Sequence, residues 1–182
     1  MAVSKTGNLA PVDDLLYAAR ASAPVADKQL INPSNLLCYY DGEWIKISST
    51  GKVERATTIT TLGNANTTAL VHPVMSERGS TDVQASPDGH ISFLIGPYGH
   101  RWTTSVYDAT VSIGSGVPIS GTYGQGLKVA TIELVTPQGT RNLSGLVGHG
   151  GSGDTNPIVG RVVEIRNGRL EFVLTSPLSS PR

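Results

Sequence analysis

The stretch Gly160–Leu174, GRVVEIRNGRLEFVL, decides the fold of this 182-residue chain. Near its centre, Asn167 and Gly168 readily adopt the two positive φ angles of a type I′ turn, whose twist matches that of flanking β-strands. A two-residue loop at this point predicts a β-hairpin in which Arg166 faces Arg169. The same register pairs Ile165 with Leu170, Glu164 with Glu171 and Val163 with Phe172.

Side chains alternate between the two sides of a strand, so this register predicts a hairpin with two unlike faces. The apolar face would consist of Val163, Ile165, Leu170 and Phe172. The charged face would consist of Glu164, Arg166, Arg169 and Glu171, with opposite charges on the diagonals. A sheet with one dry and one wet face is suited to covering a core.

Composition limits the classes of function. Charged residues make up 15% of the chain and the formal net charge is +0, whereas an average soluble domain is about 25% charged. Without a basic excess, binding to bulk nucleic acid is disfavoured. So few charges suit a surface covered by partner chains, although a Thr-, Ser- and Asn-rich surface also stays soluble without charge.

Cysteine content and hydropathy further limit the possible disulfides, membrane spans and cellular location of the chain. Cys38 is the only cysteine, so no internal disulfide is possible, and we expect it to be a small buried apolar residue. No apolar run approaches the ~20 residues of a membrane span. No secretory signal is recognisable at the start of the sequence, which predicts synthesis in the cytoplasm.

The chain divides into three predicted regions. Residues 1–35 form an N-terminal arm with one short helix over Pro11–Arg20, which begins with proline and acidic residues. Because three turns are marginal alone, the helix is expected to dock on a neighbouring molecule or, equally, on its own domain. Residues 36–175 form a β-rich domain, and residues 176–182 form a flexible tail.

A second hairpin is predicted over Leu36–Ile47, with Asp41-Gly42 as its turn. Its register places Leu36, Cys38, Ile45 and Ile47 on one face and pairs Tyr39 with Trp44 on the other. Other predicted strands are Val53–Thr61, Ala69–Met75, Ile91–Ile95, Arg101–Val106, Thr110–Ile113, Leu127–Val135 and Leu143–Val147. Short strands between Gly and Pro turns predict an all-β fold, a small antiparallel β-barrel or sandwich.

Candidate chemistry is sparse. His149, Ser152 and Asp154 share one Gly-rich loop, but a catalytic triad needs three groups that converge in space, and a flexible turn is the favoured interpretation. The four histidines show no metal-ligand spacing, and the carboxylates are mostly at turns, where they bind local backbone. We therefore predict no catalytic residue, no cofactor and no metal, and hence a protein that is not an enzyme.

The segments GVPISGTYGQGLKV, residues 116–129, and PIVGRVV with the closing hairpin, residues 157–174, resemble the head decoration (cement) proteins of tailed bacteriophages. Residues 1–35 also resemble the arms that such proteins extend over neighbouring subunits. The resemblance implies a virion structural protein on the capsid surface that bridges neighbouring major capsid subunits as a homo-oligomer. Expected contact residues are Leu15, Leu16, Tyr17, Tyr39, Trp44, Trp102 and Tyr123.

Two other functions stay open at this point. A carbohydrate-binding β module of a phage tail or receptor-binding component would use Trp102 and Tyr98 as an exposed platform. A small hydrolase would use His149, Ser152 and Asp154.

Overall fold

The computed structural model describes residues 9–12, 19–26, 39–48, 50–56, 71–73, 89–96, 98–136 and 139–175. Within these ranges the chain is all-β and contains no helix, which confirms the predicted fold class. The strands are β1 Leu9–Pro11, β2 Ala19–Pro24, β3 Trp44–Ile47, β4 Val53–Arg55, β5 Val71–Pro73, β6 His90–Gly96, β7 Arg101–Thr104, β8 Gly126–Thr136, β9 Gly139–Gly148, β10 Gly160–Arg166 and β11 Arg169–Leu174.

One six-stranded sheet dominates the architecture, with the order β1-β7-β11-β10-β8-β9. It is antiparallel and curls into a half-barrel. Two smaller sheets accompany it, β2-β6 and β4-β3-β5. The longest pairing is the β8–β9 hairpin, which runs without a register shift from Leu127 opposite Gly148 to Thr136 opposite Gly139.

The C-terminal hairpin largely follows the predicted register. Asn167 and Gly168 have φ values of 52° and 71°, as a type I′ turn requires. The three pairs nearest the turn are those predicted, Arg166 with Arg169, Ile165 with Leu170 and Glu164 with Glu171. The turn is confirmed because its two residues determine its geometry locally.

The predicted pairing of Val163 with Phe172 is wrong. A β-bulge between Val162 and Glu164 shifts the register, so that Phe172 faces Val162. A bulge opposes two residues to one and turns the strand at that point. Val162, at 1% exposure, is therefore the residue that packs in the core. Ile165 was predicted to lie on the apolar face of the hairpin, but its side chain is 38% exposed.

The region assigned to an N-terminal arm contributes two strands to these sheets. β1 pairs with β7 at the edge of the large sheet, where Leu9 and Ala10 are buried. β2 pairs with β6. Both ends of the predicted Pro11–Arg20 helix are thus extended. Residues 13–18, which include the expected contacts Leu15, Leu16 and Tyr17, lie outside the described residues, as do Cys38 and the tail 176–182.

The predicted strand pairing of the Leu36–Ile47 hairpin is wrong, because its second strand, β3, pairs with two other strands. β3 has β4 on one edge and β5 on the other, so both of its edges are occupied. Asp41-Gly42 does form a tight turn, in which the Glu43 N–H donates to the Tyr40 carbonyl at 2.9 Å. Tyr39 packs in the cluster of Ile45, whereas Trp44 belongs to a different cluster, so their predicted contact is absent.

A buried carboxylate ties the three-stranded sheet to β9. Glu43 is fully buried and accepts hydrogen bonds from Arg55 Nε at 2.6 Å, the Tyr40 N–H at 3.1 Å and the Ser144 N–H at 3.3 Å. Burial raises the pKa of Glu43, and the Arg55 charge opposes that rise. Because an unpaired buried charge is costly, these bonds hold β3, β4 and β9 in one arrangement.

The segment Thr110–Ile113, predicted as a strand, is a loop. The Asp108 carboxylate accepts hydrogen bonds from the backbone N–H groups of Thr110, Val111 and Ser112 at 2.7–3.0 Å. Amides that bind a side chain in this way are not available to a strand partner. The loop also places Val111 at a φ of 58°, a rare conformation for a β-branched residue.

Among the described residues, the core consists of three apolar clusters. The largest lines the large sheet and contains both tryptophans, and its fully buried members include Trp44, Trp102, Leu127, Leu146, Leu170 and Phe172. A second lies between the two small sheets, around Tyr39, Ile45, Val53, Ile91 and Phe93. The third lies under the β8–β9 hairpin, around Tyr40, Val106, Ala130, Ile132, Leu143 and Val147.

Candidate contact surface

Burial separates the expected contact residues into two groups. Tyr39, Trp44 and Trp102 are 0%, 1% and 0% exposed, so the prediction that they contact a partner is wrong. All three belong to core clusters, Trp44 and Trp102 to the cluster that lines the large sheet and Tyr39 to the cluster around Ile45 and Val53. Tyr123, at 78% exposure, is accessible to a partner.

A tight turn presents Tyr123. The Gln125 N–H donates to the Thr122 carbonyl at 3.1 Å, which closes a four-residue turn with Tyr123 near its apex. Gly124 has a φ of 85°, a conformation that glycine adopts without steric cost. We call residues Ser120–Gln125, together with the adjacent Arg161, the tyrosine turn.

The Gln125 side chain braces this turn from within. Its Oε1 accepts from the Ser120 N–H at 2.9 Å, and its Nε2 donates to the Pro118 carbonyl at 2.9 Å. Two backbone bonds attach the turn to β10, from the Gly124 N–H to the Val162 carbonyl at 2.8 Å and from the Val162 N–H to the Gln125 carbonyl at 2.9 Å. Such bracing lowers the conformational entropy that a partner would have to remove on binding.

An arginine accompanies the exposed tyrosine. Arg161, exposed on β10, donates from Nη1 to the carbonyl of Gly124 at 3.1 Å, so its guanidinium is held beside the turn. Among the described residues, no carboxylate lies within ion-pair distance of Arg161. Tyrosine and arginine are enriched among the residues that dominate binding energy at protein interfaces.

A second exposed apolar residue lies at the far end of β8. Val135 is 81% exposed, and Glu133, two residues earlier and therefore on the same face, is exposed as well. Their cross-strand partners on β9, Thr140 and Asn142, are also exposed. We call these four residues the hairpin tip. The sequence alone does not distinguish this surface, because Val135 alternates with core residues in an ordinary strand pattern.

The residues proposed for a hydrolase do not form a triad. His149 is buried, its Nδ1 accepts from the Gly151 N–H at 3.1 Å, and its Nε2 lies 3.0 Å from the Asn156 carbonyl, to which it donates. Both ring nitrogens are therefore used by the loop's own backbone. Ser152 is exposed and has no hydrogen bond to His149 among the described contacts, so the histidine is not arranged as its base.

Asp154 has a structural role that the sequence did not reveal. Its Oδ2 lies 2.7 Å from Lys128 Nζ, with the two side chains 10% and 5% exposed. Burial by itself would raise the pKa of Asp154, but hydrogen bonds from Lys128, Asn156 and the Gly150 N–H hold that pKa well below its ordinary value. The ion pair fastens the Gly-rich loop to β8.

Other kinds of site find little support. Trp102 is buried, so the predicted carbohydrate platform of Trp102 and Tyr98 is not formed, and Tyr98 alone is 40% exposed. Over the described ranges, no three His, Cys, Asp or Glu side chains converge as metal ligands. None of the described segments is a helix with the length and hydropathy needed to cross a bilayer.

Comparisons with known proteins add no relative to these observations. No protein-family model matches the chain, and neither a curated protein nor a solved structure is significantly similar to it.

Proposed function

We propose that this protein is a virion structural protein that decorates a bacteriophage capsid and stabilises it by bridging neighbouring major capsid subunits. The observation that carries the proposal is the tyrosine turn, where Tyr123 is 78% exposed on a loop braced by its own hydrogen bonds. An exposed aromatic residue on a rigid support is suited to contact with another protein. The resemblance of residues 116–129 and 157–174 to decoration proteins supports the same function.

The proposed mechanism is adhesion. A protein that binds only the assembled shell stabilises that shell by mass action, with a free energy that grows with its concentration over its Kd. A rigid β domain serves this purpose because little of the contact energy is spent on ordering the domain. His149 is bound by the backbone of its own loop and Asp154 is paired with Lys128 of β8, and such structural use of both side chains fits a protein that acts through its surface.

Co-sedimentation tests the proposal. Capsids of the phage that encodes this chain, prepared without it, are mixed with purified protein and pelleted, and the bound copy number is measured. We expect saturable binding at a fixed ratio to the major capsid protein. Tyr123→Ala should weaken binding at least about tenfold, as loss of an interface hot spot does.

Tyr98→Ala is the matched control, since it removes the same ring from a less exposed position outside the tyrosine turn. We expect it to leave the bound copy number unchanged. Failure of the wild-type protein to pellet with capsids would refute the proposed function. If the Tyr123→Ala variant bound capsids as well as the wild type, the tyrosine turn would not be the surface that contacts the capsid.

A further inference from the structure

The two most exposed large apolar side chains of the described residues are Tyr123, in the turn before β8, and Val135, near the far end of β8. Gly126, at the start of β8, faces Arg161 of the tyrosine turn, and Val135 lies nine residues further along. A strand rises about 3.3 Å per residue, so about 30 Å separates the two places. β8 runs without a register shift against β9, so one molecule cannot bring its hairpin tip to its own tyrosine turn.

The two surfaces are complementary in charge. Arg161 at the tyrosine turn and Glu133 at the hairpin tip are both exposed, and neither has an ion-pair partner among the described residues. Each stands beside a strongly exposed apolar side chain, Tyr123 in one case and Val135 in the other. Opposite charges that flank apolar contacts give an interface its register and orientation.

From this arrangement we infer that the hairpin tip of one copy docks onto the tyrosine turn of a second copy. Glu133 of one molecule pairs with Arg161 of the next, and Val135 packs against Tyr123. The formal net charge of +0 means that no overall repulsion opposes this association.

Such a contact joins two different surfaces, so it is head-to-tail. Head-to-tail contacts form closed rings when the rotation between copies closes, and open filaments when it does not. The inference shares with the proposed function only the use of Tyr123 as a contact residue. It concerns self-association and therefore needs no capsid.

Sedimentation velocity of the purified full chain, without capsids, tests the inference. We expect the wild-type protein to form species larger than a monomer as its concentration rises. Glu133→Arg and Arg161→Glu, each alone, place like charges in contact and should weaken association at least about tenfold. The matched control is Lys52→Glu, which makes the same charge change as Arg161→Glu at an exposed position on neither surface. It should associate like the wild type.

Restoring the opposite charges distinguishes loss of a specific contact from a general loss of structure. The double variant Glu133→Arg/Arg161→Glu again has opposite charges on the two surfaces, so its association should recover. An equimolar mixture of the two single variants should recover as well, since every junction between unlike copies is then complementary. A wild-type protein that stays monomeric would overturn the inference, as would single variants that associate normally or a double variant that does not recover. Lost capsid binding with intact self-association would instead refute only the proposed function.

Discussion

The ammonium of Lys128 lies 2.7 Å from the carboxylate of Asp154, and both side chains are almost fully buried. Lys128 lies on β8, and Asp154 lies in the Gly-rich loop that follows β9, so the pair joins two segments 26 residues apart in sequence. Removing one partner leaves the other charge buried without compensation, which is far more costly than loss of an exposed pair.

Asp154→Asn should therefore lower the free energy of unfolding by about 3–5 kcal/mol. Urea-induced unfolding measures the change. The control is Glu54→Gln, which breaks the partly exposed Lys46–Glu54 pair at 3.7 Å and should cost no more than about 1 kcal/mol. Equal effects of the two substitutions would show that the Lys128–Asp154 pair is not buried as described.

Acid should destabilise the protein through Asp108. Burial opposes ionisation of this side chain, but hydrogen bonds from Ser112 and Thr110 lower its pKa to about 2. A pKa that is lower in the folded state than in the unfolded state adds stability at neutral pH, which is lost as the pH falls through the folded value.

Stability from this group should thus decline between about pH 4 and pH 2. Unfolding measured by denaturant at a series of pH values tests the expectation. Asp108→Asn, which cannot ionise, should be less stable at pH 7 and show a shallower decline over the same range. A decline as steep as that of the wild type would assign the acid sensitivity to other carboxylates, among them Asp154.

Gly145 on β9 allows the Ile132 side chain and the Val106 carbonyl to lie close to its backbone. A Cβ at this position would lie 2.8 Å from Ile132 Cγ1 and 3.0 Å from the Val106 carbonyl oxygen. Gly145→Ala should therefore destabilise the protein by about 1–3 kcal/mol through overpacking. Thermal unfolding measures it, with Gly153→Ala as the control, because a Cβ at Gly153 would meet nothing within 4 Å. A neutral Gly145→Ala would mean that β8 and β9 separate more easily than their packing indicates.

Substitution should divide the aromatic residues expected as contacts into those that stabilise the fold and those that do not. Trp102→Ala opens a cavity beside Phe172 in the large cluster and should cost about 3–5 kcal/mol of unfolding free energy. Tyr123→Ala should change it by no more than about 0.5 kcal/mol, because the ring is 78% exposed. Guanidinium-induced unfolding of both variants is the measurement. A Tyr123→Ala variant as unstable as Trp102→Ala would assign Tyr123 to the fold.

The sequence by itself determined the features whose cause is local. The all-β class follows from β-prone residues between turn signals, and the type I′ turn follows from Asn167 and Gly168, since two adjacent residues suffice to form it. Three cross-strand pairs of the last hairpin follow from that turn. Tyr123 was expected only as a contact residue, and its 78% exposure is a finding of the structure.

Only the tertiary structure decided which surfaces face solvent. Alternation places Trp44 and Trp102 on strand faces, but which faces are covered depends on segments remote in sequence, and both tryptophans are buried in one cluster with Leu9, Leu127 and Leu146. The bulge between Val162 and Glu164 changes the register within the hairpin without any turn residue to mark it, and the partner of Asp154 lies 26 residues away on β8. Contacts between segments remote in sequence leave no local pattern, because each segment is compatible with several partners until the chain has folded.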